Sequence, residues 1–267
     1  MNETPASPSA PSTGSGRSPA AGSPAPASVP LRLPTVAPRV TFAILGLTSF
    51  VYLLQLASQF ALGFDLPVAL GAKSNELIRA GELWRLITPI LLHASILHIG
   101  FNMYALFSFG AGLERRFGYS RFLLLYLLAG FSGNVLSFLF SNGLSVGAST
   151  AIFGLIGAEG VFLYQNRRLF AEQGRAALGN VVAVALFNLF LGFSSGGLID
   201  NWGHIGGLFG GLIFAWFAGP RLEVEGIYPS IRLVDTSDPA RVWLGAALVL
   251  ILFGGLAVFG IVSPLIK

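Results

Sequence analysis

Cysteine is absent from this chain of 267 residues, and charged residues are scarce. The lack of cysteine excludes disulfide bonds and thiolate–metal sites. Only 10% of the residues are charged, whereas a soluble globular domain carries about 25%. With 54% hydrophobic residues and a mean hydropathy of +0.73, the composition is that of a polytopic membrane protein.

The chain begins with a polar tail and continues as a series of apolar segments. Residues 1–38 are mainly Pro, Ala, Ser and Gly, which bury little surface, so they predict a disordered tail and not a signal peptide. A membrane-spanning helix needs about 20 residues. Seven stretches approach this length, at 40–62, 92–113, 119–140, 147–165, 178–196, 201–218 and 241–262.

The basic residues predict the orientation of these spans. If the N-terminus is cytoplasmic, each of four cytoplasmic segments carries three arginines; they are the tail through residue 39, 114–121, 166–177 and 219–241. The opposite side then holds only Lys73, Arg79, Arg85 and Lys267. Because cytoplasmic loops are enriched in Lys and Arg, we expect the N-terminus inside and the C-terminus outside. The alternative is a six-span core whose last apolar segment lies outside the membrane-spanning set. Separately, the abundance of Arg, Ala and Gly favours a bacterial plasma membrane.

Polar side chains within spans are costly and usually functional. They concentrate at the start of three spans: His93, His98 and Asn102 in the second, Ser149 in the fourth and His204 in the sixth. Under the predicted topology all three starts lie at the outer side of the membrane. Three separate polar groups are therefore expected at a similar depth.

These residue types fit the hydrolysis of an acyl bond, which needs a nucleophile, a base and donors for the oxyanion. Ser149 and His204 supply the first two. His98 and Asn102 are four residues apart, so they share one helix face, and both can donate hydrogen bonds. Since Asp200 falls at the membrane boundary, no acid is placed as a third member, and a Ser–His dyad is predicted.

Each feature also has a structural explanation. A lone serine in a span is most often a packing residue, and an intramembrane histidine also serves in proton relays. The spacing of Gly203, Gly207 and Gly211 indicates first a close helix contact, which would bring the sixth span against the fourth. A transporter would explain Glu159 in the fourth span, although no internal repeat is visible.

Five motifs, in order over about residues 75–215, resemble those of rhomboid intramembrane serine proteases: ELWR, LLHASILHIGFNMY, GLERRFG, GASTAIFG and WGHIGGLFGG. The resemblance implies an all-α polytopic fold. Its six-helix core would occupy 39–219, followed by a cytoplasmic linker at 220–240 and a seventh transmembrane helix within 241–267.

The resemblance also implies the roles of the central residues. Ser149 would be the nucleophile and His204 the general base. The oxyanion would be held by the Ser149 amide and the side chains of His98 and Asn102, with the Ala148 amide as a weaker donor. No metal or cofactor is implied.

Supporting residues follow from the same resemblance. Phe153 would pack on the ring of His204, and Gly147 and Gly207 belong to the two glycine-containing motifs. The long loop between the first two spans reads as an amphipathic segment in the interface. The remaining pairs are Trp84 and Arg85, which would anchor that loop, and Glu114 and Arg115, which would stabilise the inner turn.

Three residues depart from the family pattern or lie outside it. Thr150 follows the serine, where the family often has glycine, and would crowd the oxyanion hole or add a hydroxyl to it. Glu159 lies about 15 Å deeper than the serine, and we expect it to pair with the basic residues at 166–168. His93 is expected to face the outer rim.

The sequence therefore predicts a serine endopeptidase that cuts single-span membrane proteins within the bilayer and has no nucleic-acid partner. A catalytically inactive, client-binding member of the same family is the alternative, although such proteins typically lack the serine or the histidine. A membrane transporter is a second and less favoured alternative.

Overall fold

The computed structural model describes Met1, residues 34–194 and 196, and the ranges 199–227 and 230–263. The predicted disordered tail, residues 1–38, lies almost entirely outside these residues, so its character stays a prediction. Helices make up most of the described chain, and the predicted all-α polytopic fold is confirmed.

The helices are, in chain order, α1 (Arg39–Leu62), α2 (Leu66–Gly71), α3 (Asn75–Arg79), α4 (Ile96–Ala105), α5 (Ala111–Phe117), α6 (Tyr119–Phe140), α7 (Ser149–Gln165), α8 (Arg167–Ser194), α9 (Asn201–Ala218) and α10 (Ala240–Val262). A π-helical turn, Leu106–Gly110, joins α4 to α5 in one helix, Ile96–Phe117. Two 3₁₀ turns, Leu83–Leu86 and Thr88–Leu91, lie between α3 and α4.

The seven long helices correspond to the seven predicted spans. Among the described residues, α1, α4–α5, α6, α8 and α10 are long and apolar enough to cross a membrane. The other two, α7 and α9, have 17 and 18 residues, near the lower limit for a span. Both are largely covered by neighbouring helices, so the shortest spans lie at the centre of the molecule.

The bounds of two helices differ from the prediction. The second span begins at Ile96 instead of residue 92, because the side chain of Ser95 accepts a hydrogen bond from the His98 amide and caps the helix there. The fifth begins at Arg167 instead of 178 and bends at Ala171, where φ is 42° and ψ is −124°. Hydropathy alone misses this first part of α8 because it is polar.

The stretch predicted as a linker contains a short antiparallel hairpin. Its strands are β1 (Leu222–Glu225) and β2 (Arg232–Asp235). Arg121 at the start of α6 donates to Asp235 at 2.6 Å and fixes the hairpin to the helices. Burial alone would raise the pKa of Asp235, but hydrogen bonds from Ser237 and the Arg121 guanidinium hold it below its usual value. Four-residue strands give too little alternation to be recognised from sequence.

Close contact between α7 and α9 determines the centre of the fold. A Cβ atom built at Gly207 would lie 1.9 Å from the carbonyl oxygen of Thr150, and one built at Gly211 would lie 2.3 Å from that of Gly154. Only glycine permits this separation, so the two backbones touch directly. The prediction that the sixth span packs on the fourth is therefore confirmed.

Two carboxylates organise the end of the molecule where α7 ends and α8 begins, which we call the arginine-rich end. Glu114 is fully buried and accepts hydrogen bonds from the amides of Val40 and Thr41, at 2.7 and 2.6 Å, at the start of α1. Glu159 forms a bidentate ion pair with Arg116. The expectation that Glu159 pairs with residues 166–168 is wrong, because the helix turn before α6 brings Arg116 alongside α7.

The α7–α9 contact can be tested at Gly211. We expect Gly211→Ala to separate the helices and to lower the free energy of unfolding by about 1–3 kcal/mol, the usual cost of overpacking. Gly255→Ala is the control, because a Cβ atom there meets nothing within 4 Å. Unfolding in mixed micelles measures both. Equal stability of the two variants would contradict the tight contact.

Candidate active site

Ser149 and His204 meet at the end of the molecule where α7 and α9 begin, which we call the site end. His204 Nε2 lies 2.9 Å from Ser149 Oγ, although the residues are 55 positions apart in the chain. Ser149 is the first residue of α7, and His204 lies in the first turn of α9. Because the start of a helix carries positive partial charge, this position favours a developing anion at the serine.

The His204 ring is held without an acid. It stacks on Phe153, with ring centroids 4.2 Å apart and an interplanar angle of 12°. Its Nδ1 has no hydrogen-bond partner among the described residues. Asp200 instead accepts hydrogen bonds from the Gly203 amide, at 2.9 Å, and from the Ser137 hydroxyl. Its carboxylate thus caps α9 and does not form a triad.

The helix α4 carries two possible hydrogen-bond donors, His98 beside this region and Asn102 one turn further along the helix. Asn102 is 6% exposed, and its Nδ2 has no partner among the described residues. His98 Nδ1 accepts a long hydrogen bond of 3.5 Å from the Ala94 amide. This leaves Nε2 to carry the proton, and a Cβ atom at Gly147 would lie 2.8 Å from that nitrogen and 3.5 Å from Ser149 Oγ. His98 thus borders the serine across Gly147.

The Ala148 amide is already engaged. It donates to His93 Nε2 at 3.4 Å, so it is not free to hold an oxyanion. The expectation that His93 faces the rim is wrong, since only 1% of the residue is exposed. Its backbone pairs with the Gln55 side chain of α1 in both directions, at 3.0 and 2.9 Å. A glutamine in the middle of the first span was the sequence signal for this missed contact.

Thr150, which follows the serine, has a methyl group that packs between neighbouring helices. Its side chain packs where Gly133 of α6 and Gly203 of α9 leave room, with its Cβ 2.6 Å from a Cβ built at Gly133. The methyl group therefore fills the junction of three helices. This packing accounts for the methyl group, whereas the Thr150 hydroxyl is buried without a hydrogen-bond partner among the described residues, so its contribution to an oxyanion hole stays a prediction.

The loop before Ser149 is fastened by a lysine that sequence reasoning missed. Lys73 is fully buried, and its ammonium donates to the carbonyl oxygens of Ser141 and Gly143. Its backbone also pairs with Ser145 at 3.0 and 3.3 Å. Burial lowers the pKa of Lys73 to about 8, against a partial opposing effect of Asp200. The available signal was a lysine in a loop that is otherwise unusually apolar.

The remaining predicted residues lie away from the serine. The guanidinium of Arg85 is buried and donates to the carbonyls of Ala72 and Ala69, both at 2.8 Å, so it holds the first loop together. Trp84 is exposed and donates to the Leu70 carbonyl at 3.0 Å. At the other end, Arg115 accepts a backbone hydrogen bond from Val36, beside Glu114.

Gly147 is the position where the loop geometry is most demanding. Its φ of 133° is unfavourable for any other residue, and an added Cβ would meet His98. For the peptidase activity that the sequence predicts, we expect Gly147→Ala to lower kcat by about 10- to 100-fold, because His98 and Ser149 would be displaced. Gly143→Ala, in the same loop but with open space at the Cβ position, should keep most activity. Equal activities would show that this geometry is not required.

Comparisons with known proteins place this chain in a family. The family model described as "Rhomboid domain" matches residues 80–221, more than half of the chain. "Rhomboid protease GluP" of Bacillus subtilis (strain 168) is 43% identical over 178 residues, which cover 67% of this chain and 34% of that protein. "RHOMBOID-like protein 9, chloroplastic" of Arabidopsis thaliana is 38% identical over 60% of this chain and 37% of its own length.

A third relative, "Rhomboid-like protease 1" of Toxoplasma gondii, is 36% identical over 61% of this chain and 57% of its own length. The chain thus spans between about a third and three fifths of the curated relatives it matches. The matched region contains the three helices that carry Ser149, His204, His98 and Asn102. The chain is an integral membrane protein that belongs to the rhomboid family.

Proposed function

We propose that this chain is an intramembrane serine endopeptidase that works through a dyad of Ser149 and His204. Family membership supports a membrane protease in general. The observation that carries the specific proposal is the 2.9 Å contact between His204 Nε2 and Ser149 Oγ, made by residues from two different helices. A serine kept only for helix packing has no need of an imidazole at hydrogen-bond distance.

In the proposed mechanism His204 acts first as base and then as acid. Nε2 accepts the hydroxyl proton while Ser149 Oγ attacks the peptide carbonyl, and the resulting tetrahedral intermediate collapses as Nε2 protonates the leaving amine. Water then hydrolyses the acyl-enzyme by the same route. The stack with Phe153 keeps the ring plane fixed through these transfers, a task that the acid performs in a triad.

The oxyanion would be stabilised by three donors. The Ser149 amide is one of the first amides of α7, which have no carbonyl partner within the helix. The second and third are Asn102 Nδ2, which is unpaired among the described residues, and His98 Nε2. An unpaired buried donor such as Asn102 Nδ2 costs stability, and binding a transient negative charge would give it a function.

The two alternatives lose support. An inactive client-binding protein would not require the Ser149–His204 contact or an unpaired Asn102 donor. The transporter reading rested on Glu159, whose carboxylate is paired with Arg116 and so has a structural role.

The dyad is tested by removing each member. We expect Ser149→Ala and His204→Ala each to abolish cleavage of a transmembrane substrate by purified protein, with unchanged folding. The double variant should be no worse than either single one, because the two residues act as a unit. Substantial turnover by Ser149→Ala would eliminate the proposal.

The role of Asn102 is tested by asking which kinetic constant changes when its side chain is removed. Asn102→Ala should lower kcat by about 10²–10³-fold, the usual cost of losing one oxyanion donor, with little change in KM. Asn188→Ala is the control, because this amide on α8 is exposed and bonds its own helix at Val184. If Asn102→Ala raised KM alone, the side chain would serve in substrate binding or packing.

The proposed substrates are single-span membrane proteins. A helical substrate must unwind before Ser149 reaches a carbonyl, and unpaired backbone groups cost several kcal/mol each in lipid. We therefore expect cleavage near the site end, in a segment weakened by Gly, Pro or polar residues, and the family resemblance implies that the cut follows a small residue. Replacing Gly and Pro by Leu in the half of the span nearest the site end should block cleavage. The same replacement in the other half should have little effect. Products mapped to the other half would contradict this position.

A further inference from the structure

A large apolar groove lies away from the candidate active site, between α7, α8 and α9. Its volume is about 760 Å³. Gly157 and Gly160 line it from α7, Val181 and Ala185 from α8, and Leu212 from α9. Along α7 the groove runs from Ile156 to Tyr164, which is about 12 Å. The length of the groove is therefore somewhat less than half of a ~30 Å hydrocarbon core, which is roughly the depth of one leaflet.

The groove opens sideways because α8 stands off from α9 along this length. The two helices meet near the site end through the side-chain amide of Asn201. Its Nδ2 donates to the Leu189 carbonyl at 3.2 Å, and the same group lies against Gly192. Leu186, between this contact and the arginine-rich end, is 62% exposed. Acyl chains are the solvent at this depth, so the lateral opening faces lipid.

The mouth of the groove, at the arginine-rich end, has a different chemistry. The rings of Tyr164 and Trp216 stack there, with centroids 6.1 Å apart. The guanidinium of Arg167 lies 4.5 Å from the centre of the Tyr164 ring, and both Arg167 and Arg168 are exposed. The segment 166–177 contains three arginines and one glutamate, so it carries a net positive charge. Tyr and Trp are typical of the membrane–water boundary, and basic clusters there bind anionic head groups.

We propose that the groove is a binding site for one phospholipid with an anionic head group. One acyl chain lies between α8 and α9, and the phosphate pairs with Arg167 and Arg168. A transmembrane helix fits less well, because it is about 10–12 Å across and the Asn201 contact ties α8 to α9 at one end. The bound lipid would fill the space that α8 leaves open and so support the position of that helix.

The test uses tryptophan fluorescence in the full-length chain. Trp84, Trp202 and Trp243 are changed to Phe, which leaves Trp216 as the single reporter beside the groove. The protein is placed in vesicles that mix phosphatidylglycerol and phosphatidylcholine, with bromine on the acyl chains of one lipid at a time. We expect brominated phosphatidylglycerol to quench Trp216 at least twofold more than brominated phosphatidylcholine at the same mole fraction.

Two sets of variants locate the effect. Arg167→Gln with Arg168→Gln should remove the preference for phosphatidylglycerol, whereas Arg232→Gln, on an exposed residue of the hairpin, should preserve it. Gly160→Leu should fill the groove and reduce quenching by both lipids. A control variant keeps Trp202 as its only tryptophan and should show no preference between the two lipids. Trp202 lies on the same helix as Trp216 but at the site end, and the two residues are similarly exposed, 41% for Trp202 and 45% for Trp216.

Three results would overturn the proposal. They are equal quenching of Trp216 by the two lipids, a preference that survives loss of both arginines, and no quenching by either lipid. The last would mean that a protein segment, from a second copy or a substrate helix, occupies the groove. Inorganic phosphate is also added alone to vesicles of unbrominated phosphatidylcholine, where it should leave Trp216 fluorescence unchanged. A change at millimolar concentration that is lost with both arginines would be a fourth result against the proposal, because it would show a site for a free anion.

Discussion

The direct backbone contact between α7 and α9 is the constraint on which the candidate site depends. Gly207 lies against the Thr150 carbonyl, and Gly211 against Gly154. One turn before Gly207, toward the site end, His204 reaches Ser149, and a larger separation of the helices would remove that contact. The geometry of the candidate site therefore follows from glycines, which have no side chain.

The polar groups around this contact fall into two sets with different tasks. At the site end, Lys73 holds the loop before Ser149, while Gln55 and His93 connect α1 to the amide of Ala148. At the arginine-rich end, Glu114 caps α1 and Arg116 pairs with Glu159. The charged groups of Lys73, Glu114, Arg116 and Glu159 and the amide of Gln55 each have a partner among the described residues, as a low-dielectric environment requires.

Much of this was predictable because the responsible signals are local. Hydropathy located the helices, and short motifs located the serine, the histidines and the asparagine. The partner of Glu159 was not predictable, since it depends on how far α5 turns before α6 begins. The burial of His93 depends on Gln55, 38 residues earlier in the chain. Contacts between distant segments leave only a weak trace in one sequence, namely a polar residue without an obvious partner.

The central claim is that His204 activates Ser149, and reaction with a fluorophosphonate tests it most directly, because this reagent modifies an activated serine without any substrate protein. The purified wild type and His204→Ala would be treated in parallel, and the modified residue located by mass spectrometry. We expect the wild type to be modified at Ser149 and His204→Ala to remain unmodified although its serine is intact. Equal modification of Ser149 in both proteins would contradict activation by His204, and modification elsewhere would contradict the choice of Ser149.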